Sequence, residues 1–253
     1  MPVGRESGKR QRAATAATDG RGNRLLEAIP ARERKRLLDL FEVESCELKQ
    51  QLMEPGERMP TVYFPMTAVV SLLTTMDDGS GVEIATVGNE GMVGVPVFLG
   101  AEALNVRDLV QVQVPGTVLR IDASVFLAET SNGNALRGVI ERYVQAYLRQ
   151  VSQQVACNAM HAVVERCARW ILLTHDRVGE EEFPLTQEFL AQMLGVRRAS
   201  VTVAGGALQS AGFVRFWRGR ITILDREGLE GSSCECYEII RHEFDRLLAP
   251  LAK

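Results

Sequence analysis

The residues with the clearest chemistry lie in a basic stretch in the last third of the sequence. Residues 185–226 contain six arginines and only two acidic residues, so they carry +4 in a protein whose formal net charge is −3. Guanidinium groups bind phosphates, and with paired hydrogen bonds they also read the edge of guanine. This stretch therefore predicts a surface that binds nucleic acid.

The spacing within this stretch predicts two short helices joined at a glycine and followed by a hairpin. Thr186 suits a helix N-cap, and Gly195 suits the left-handed residue that ends that helix. A second helix follows at once, and the alternation after Gly212 predicts two strands that turn at Arg218-Gly219. This is the pattern of a winged helix-turn-helix, whose second helix enters the major groove of DNA. The predicted DNA-binding residues are Thr186, Gln187, Arg197, Arg198, Ser200, Thr202, Arg215, Arg218 and Arg220.

The apolar residues of the two helices predict which face of each is buried. In the first helix these are Phe189, Leu190, Met193 and Leu194. In the second helix they are Val201, Ala204 and Leu208, with Val203 as a further candidate. The arginines and hydroxyls then remain on the exposed N-terminal half of the second helix.

A long helix precedes this region. Residues 135–160 contain no proline and predict one long helix with an apolar stripe, about 25 residues or roughly 37 Å in length. A helix of this length beside a compact domain favours pairing with its twin in a homodimer, whereas packing on its own subunit is the alternative. The predicted dimer interface comprises Leu136, Val139, Ile140, Tyr143, Tyr147, Leu148, Val151 and Val155.

The first half of the chain predicts an all-β unit. Short runs rich in Val, Ile, Leu and Thr, separated by Gly-, Pro- and Asp-containing turns, occupy residues 68–75, 82–87, 109–114 and 118–121. The predicted fold class is α+β, with a double-stranded β-helix or jelly-roll domain over residues 23–134, the long helix over 135–160 and a DNA-binding domain over 161–253. Two short helices open the β domain, and residues 1–22 are expected to form a disordered basic tail.

Composition bounds the class of protein. No stretch of 18 apolar residues is present, so we expect no membrane association, and five scattered cysteines do not form a disulfide framework. A reducing, cytoplasmic location fits these features. No nucleophile, base and orienting group occur in a recognised catalytic motif, so we expect no enzyme activity and no cofactor.

From residue 23 onward, the order of elements resembles the Crp/Fnr transcription regulators. Residues 165–172 (ERCARWIL), 185–188 (LTQE) and 194–198 (LGVRR) are especially similar to the helix that leads into the reader domain of that family and to its helix-turn-helix. The resemblance implies a sensory roll like a cyclic-nucleotide-binding domain, a homodimer on palindromic double-stranded DNA, and RNA polymerase as a partner. Family members commonly begin the recognition helix with Ser-Arg-Glu. Here Arg197, Arg198 and Ala199 occupy those positions, so only Arg198 keeps the base-reading type and the family's target sequence does not transfer.

The segment that corresponds to the family's phosphate cassette, residues 91–108, lacks that cassette's chemistry. An anion requires a cationic or amide-rich cradle. Val95 stands near the position of the expected Glu, and only Arg107 is left to serve an anionic effector, with a surface ion pair as its alternative role. Conventional cyclic AMP binding is therefore not expected, and a small-molecule effector, if the roll has one, is not identified by the sequence.

The remaining question is whether the chain holds a metal. The N-terminal cysteine cluster of the oxygen-sensing relatives is absent, and no His precedes His161. Cys234 and Cys236 with His242 could form a metal or redox site, but C-x-C is not the usual zinc spacing, so we predict no metal site and core or surface thiols. The alternative function is a ligand-sensing or scaffold protein whose C-terminal domain binds protein instead of DNA. The operator, and activation versus repression, stay open.

Overall fold

The computed structural model describes residues 22–131 and 133–249, so the predicted basic tail lies outside the described residues except for Gly22. The N-terminal part contains two short helices, seven strands and two further short helices. Their bounds are α1 (Arg24–Glu27), α2 (Ala31–Leu38), β1 (Glu42–Cys46), β2 (Gln51–Met53), β3 (Thr61–Pro65), β4 (Val69–Thr75), β5 (Gly81–Val87), α3 (Val95–Phe98), β6 (Asp108–Val114), β7 (Gly116–Asp122) and α4 (Ala123–Thr130).

The seven strands form two antiparallel sheets, in the orders β1-β7-β3 and β2-β6-β4-β5. Alternating residues of both sheets bury side chains such as Val62, Phe64, Val70 and Val112 in one common core. This is the predicted roll. The shorter strands β1 and β2 lie at sheet edges, where alternating polar residues are typical.

The second half of the chain is mainly helical. Its elements are α5 (Ala135–Met160), α6 (Val163–Val178), β8 (Glu182–Pro184), α7 (Gln187–Leu194), α8 (Arg198–Ser210), β9 (Val214–Trp217), β10 (Arg220–Ile223), α9 (Arg226–Gly231) and α10 (Cys236–Leu247). Strands β8, β10 and β9 form a small antiparallel sheet beside α7 and α8. These elements bury a second core around Trp170, Leu190, Val201 and Ile221.

The long helix α5 packs against its own subunit along its first half. Leu136, Val139, Ile140 and Tyr143 are at most 1% exposed and belong to the core of the roll. Their assignment to a dimer interface was therefore wrong, because apolar spacing marks a buried face without naming the partner. Tyr147 and Val151 are half-buried, whereas Leu148 and Val155 are 57% and 68% exposed.

The last helix, α10, lies against α5. Its residues Ile240, Phe244 and Leu247 join the core of the roll, and the Phe244 ring lies 6.2 Å from that of Tyr143. The C-terminal helix thus connects the second core region to the long helix. Within the described ranges, no helix combines the length and the apolar character needed to span a lipid bilayer.

Candidate DNA-binding site

The helix-turn-helix forms as the local sequence predicts. Thr186 accepts a hydrogen bond from the backbone N–H of Phe189 at 3.1 Å and caps α7. Gly195 ends α7 with φ of 63°, a left-handed conformation that a glycine adopts without strain. Arg197 is the N-cap residue of α8, and Arg198 is its first helical residue. The glycine turn therefore begins α8 with Arg197 and Arg198, whose side chains are both exposed.

The basic residues at this end of α8 are available to a ligand. Arg197, Arg198 and Thr202 are exposed, and Ser200 is half-buried. Within the described parts of the chain, neither Arg197 nor Arg198 forms an ion pair with a carboxylate. The N-terminal end of a helix adds a positive potential to these two charges. The result is an exposed cationic tip, which suits a polyanion.

Two of the predicted DNA-binding residues hold the two helices together. Thr202 donates a hydrogen bond from its hydroxyl to Gln187 Oε1 at 3.0 Å and to the Arg198 carbonyl at 3.1 Å. The Gln187–Thr202 contact joins the first turn of α7 to the exposed face of α8. Both side chains therefore lie beside the arginines and are already oriented by each other.

The exposed face of α8 also includes a residue that the sequence analysis placed differently. Val203 is 75% exposed, so its candidate place on the buried face was wrong. Val201 and Ala204 point into the core, and Val203 lies between them in sequence but on the opposite side of the helix. An exposed valine on a reading helix can contact the methyl group of thymine.

The hairpin of β9 and β10, called the wing below, contains three further arginines whose contacts differ. Strands β9 and β10 are joined by Arg218 and Gly219, both at positive φ (48° and 77°), as in a type I′ hairpin turn. Arg218 stacks over the Trp217 ring at 5.2 Å, and that ring is 65% exposed. Trp217 was not predicted as a site residue, although an exposed aromatic beside arginines is a recognisable signal.

The other two wing arginines differ in their partners. Arg215 is exposed. Arg220 forms an ion pair with Glu182 at 2.5 Å, and the same hydrogen bond lowers the pKa of that carboxyl. Glu182 therefore stays ionised and competes with a phosphate for Arg220, so Arg215 and Arg218 are better placed to contact DNA.

The helix-turn-helix lies beside the roll of the same subunit. A Cβ placed at Gly195 would come within 2.8 Å of the Val82 side chain on β5. Arg197 lines the same cleft as Ser80, in the turn between β4 and β5. The cationic tip of α8 is therefore adjacent to a turn of the predicted sensory domain.

A buried polar network joins the roll to α5 and α6. Glu83, fully buried on β5, accepts hydrogen bonds from Ser71 at 2.6 Å and from the Trp170 indole at 3.0 Å. Burial raises the pKa of this carboxyl, and the hydrogen bonds oppose the shift. Glu90 and Arg177 form an ion pair at 2.9 Å with both side chains 6% exposed. Buried polar groups of this kind require well-placed partners, and here those partners join β5 and the loop after it to α6.

The segment expected to hold an effector is packed closely under α5. A Cβ placed at Gly91 would lie 2.5 Å from the Tyr143 hydroxyl, which donates to the Met92 carbonyl at 3.1 Å. Arg107 forms a surface ion pair with Asp77 at 2.7 Å, with side chains 52% and 91% exposed. Arg107 therefore has an ordinary surface partner, which is the alternative role that the sequence left open for it.

The thiols near the C-terminal end of the chain have partners that the sequence did not indicate. Cys234 and Cys236 lie with Cys157 and His161, and the four ligand atoms are all within 4.8 Å of one another. His242 does not take part, because it is exposed and pairs with Glu238 at 3.0 Å. The histidine that accompanies these cysteines is therefore His161, and the sequence-based choice of His242 was wrong.

Comparisons with known proteins decide the class of this site. The family model of the Crp-like helix-turn-helix domain matches residues 165–231. This part of the chain is similar to the helix-turn-helix domain of Crp-like proteins. The transcriptional regulator SdrP of Thermus thermophilus is 25% identical over 182 residues, which cover 70% of this chain and 85% of that protein.

Solved structures agree on the whole arrangement. TTHB099, a transcriptional regulator of the CRP family from Thermus thermophilus, superposes with a TM-score of 0.63 at 20% identity, over 76% of this chain and 99% of its own. FixK2 from Bradyrhizobium japonicum superposes with a TM-score of 0.64 at 16% identity, over 77% and 98%. The chain therefore has the Crp/Fnr fold, and a DNA-binding transcription regulator is the function that the matched domain supports. The alternative of a protein-binding scaffold has no support among these relatives, which are regulators.

Proposed function

We propose that this Crp-like regulator binds a palindromic DNA operator as a homodimer, with the N-terminal end of α8 in the major groove of each half-site. The observation that carries the proposal is the exposed pair Arg197 and Arg198 at the positive N-terminal end of α8, which follows directly on the turn at Gly195. Two symmetry-related helices fit half-sites about one helical turn apart, which explains the palindrome.

The exposed side of α5 supports the dimer. Val144, Leu148, Val151 and Val155 alternate at spacings of four and three residues, which is the spacing of a coiled-coil seam. None of these four side chains is fully buried in the subunit, unlike Leu136 and its neighbours, whose face is centred about 100° away around the helix. Val144, at the border of the two faces, also packs against the core of the roll. An exposed leucine and valine on a long helix are stabilised when a second copy covers them. We therefore place the dimer interface on this second seam.

The two arginines divide the work at the tip of α8. Consecutive helical residues differ by about 100° in direction, so both guanidinium groups cannot reach the floor of the groove. Arg198, inside the helix, reads a base edge, and Arg197, at the N-cap, contacts phosphate. Arg215, Arg218 and the Gln187–Thr202 pair contact the flanking backbone, where they position the helix without selecting sequence.

The roll acts as the sensory part of the regulator, in the cytoplasm, and RNA polymerase is the partner that the family implies. Its effector is not a cyclic nucleotide bound in the conventional way, since Val95 and the Arg107–Asp77 ion pair do not provide a phosphate cradle. The close packing of Tyr143 on Gly91 supports the same conclusion.

The experiment that tests the proposal is a titration of a fixed operator duplex with the purified protein at several salt concentrations. Arg197→Ala is expected to weaken binding of all sequences alike and to reduce the slope of log K against log salt by about one per subunit. Arg198→Ala is expected to cost about 1 to 3 kcal/mol of discrimination at one base pair of each half-site. Arg32→Ala, at an exposed arginine on α2, is the matched control and should change neither quantity. Binding that does not depend on salt would contradict the proposal.

A further inference from the structure

Four metal-ligating side chains meet where the C-terminal end of α5 approaches the start of α10. Cys157 and His161 come from the end of α5, and Cys234 and Cys236 come from the segment that begins α10. The three cysteines are at most 4% exposed and form a small cluster of their own, separate from both main cores. The cluster therefore requires an explanation other than packing in a core.

Two of the distances between the ligand atoms match those around a single tetrahedral ion. Cys157 Sγ and Cys234 Sγ are 3.5 Å apart, and Cys236 Sγ and His161 Nδ1 are also 3.5 Å apart. Bonds of about 2.3 Å to sulfur and about 2.0 Å to nitrogen, at tetrahedral angles, separate two sulfurs by about 3.8 Å and a sulfur from a nitrogen by about 3.5 Å. These two separations fit one tetrahedral ion to within a few tenths of an ångström. The other pairs of ligand atoms, all within 4.8 Å, require shifts of up to about 1 Å.

The surroundings hold the ligands in binding orientations. His161 directs Nδ1 at Cys236, while its Nε2 pairs with the Glu235 carboxylate at 3.2 Å. Such a carboxylate on the far nitrogen is the usual second contact of a metal-bound histidine, because it fixes the ring and its tautomer. Gln153 donates from its side-chain amide to Cys236 Sγ at 3.1 Å. Both contacts would persist with an ion in place.

Two buried arginines lie near the negative charge that such a site carries. Three thiolates and a neutral histidine around a divalent ion leave a net charge of −1. Arg166 and Arg169, 7% and 2% exposed, interact electrostatically with Cys157, and the Nε–H of each has no hydrogen-bond partner within the described residues. A buried guanidinium is costly without a compensating anion. A thiolate-rich metal centre provides one.

We propose that Cys157, His161, Cys234 and Cys236 bind one divalent ion of the zinc class in a closed Cys3His site. All four donors are protein side chains, as in structural zinc sites, so the ion has no open position for a substrate. An iron–sulfur cluster fits less well, because its ligands bind different irons and are held further apart than the atoms around one ion.

The site would link the DNA-binding domain to α5. It joins the end of α5 to the start of α10, and Arg166 beside it donates to the Leu194 carbonyl at 2.5 Å, at the end of α7. Leu194 directly precedes the Gly195 turn, so loss of the ion would weaken the link between α5 and this turn. The metal site stands on its own ligands and does not depend on the proposed mode of DNA binding.

The test is the metal content of the full-length protein purified under reducing conditions, followed by replacement of the metal with Co²⁺. We expect one zinc-class ion per chain. The Co²⁺ form should show visible d–d bands of tetrahedral intensity and a strong sulfur-to-cobalt charge-transfer absorption. Cys234→Ser and His161→Ala should lower Co²⁺ affinity at least tenfold, as removal of one ligand weakens a four-ligand site. Cys46→Ser is the matched control: it is buried in the roll, where burial raises its pKa to about 11, and it should bind Co²⁺ like the wild type.

Several outcomes would overturn the proposal. The first is a protein that purifies without metal and gives no tetrahedral Co²⁺ spectrum. The second is a protein with the absorption spectrum and the acid-labile sulfide of an iron–sulfur cluster. The third is a thiol titration that finds a Cys157–Cys234 disulfide in the reduced preparation. Because the Co²⁺ spectrum is read on the wild type, the proposal remains testable if a variant fails to fold. DNA binding by the metal-free protein is measured separately, so failure of the metal site and failure of the DNA proposal are distinguishable.

Discussion

Replacement of Glu90 by glutamine is expected to destabilise the protein through the charge that it leaves behind. Glu90 and Arg177 are each 6% exposed in the side chain, and their ion pair joins the roll to α6. Removing one partner of a buried pair costs about 3 to 5 kcal/mol, because the remaining charge is uncompensated. Arg177 also donates to the Thr86 carbonyl at 3.3 Å, which remains in the variant. We therefore expect Glu90→Gln to cost about 3 kcal/mol, the lower end of the range.

The assay is urea unfolding followed by circular dichroism, with the free energy of unfolding extrapolated to water. Asp77→Asn is the matched control, since it breaks the exposed Arg107–Asp77 pair and should cost less than about 1 kcal/mol. The double variant Glu90→Gln with Arg177→Met should recover part of the loss, because it removes both buried charges. Equal effects of Glu90→Gln and Asp77→Asn would refute the reasoning.

Three further predictions concern the dimer, pH dependence and close packing. Leu148→Glu places a charge in the proposed seam and should give a monomer in light scattering. A dimer that is unchanged in this variant would contradict an interface at Leu148. Because burial raises the pKa of Glu83 above its unfolded value, the folded state binds a proton more readily. The stability that Glu83 contributes is therefore present in acid and is lost as pH rises from its unfolded pKa through its folded pKa. Glu83→Gln should not show this loss. A difference in unfolding free energy between Glu83→Gln and the wild type that stays constant across pH would contradict the prediction. Gly91→Ala should cost about 1 to 3 kcal/mol by overpacking against Tyr143. Gly138→Ala, whose added Cβ meets no atom of the described residues within 4 Å, should be neutral or stabilising by up to about 1 kcal/mol; equal urea midpoints for the two variants would contradict this prediction.

The elements that depend on local rules were predictable from the sequence. The Thr186 cap, the left-handed Gly195 and the Arg218-Gly219 turn each follow from the residue's own conformational preferences, and all three were confirmed. The runs of β4 to β7 were recognised because buried strands are rich in branched apolar residues. The short edge strand β1, Glu42–Cys46, alternates polar and apolar residues too briefly to be distinguished from a loop.

The features that the sequence could not give depend on partners distant along the chain. The stripe on α5 was visible, but spacing alone does not show that Leu136 contacts the roll of its own subunit while Leu148 stays exposed. In the same way Cys157 and Cys234 are 77 residues apart and meet only because α10 packs back on α5. His242 is nearer to Cys236 in sequence, yet it lies outside the cluster.

The most direct test of the central claim is selection of binding sites from a random pool of duplex DNA by the wild-type protein and by Arg198→Ala. We expect the wild type to enrich a palindrome with half-sites about one helical turn apart, and Arg198→Ala to lose preference at one base pair in each half-site while keeping the others. No enriched sequence for the wild type, or the same preference at every position in Arg198→Ala, would contradict that claim.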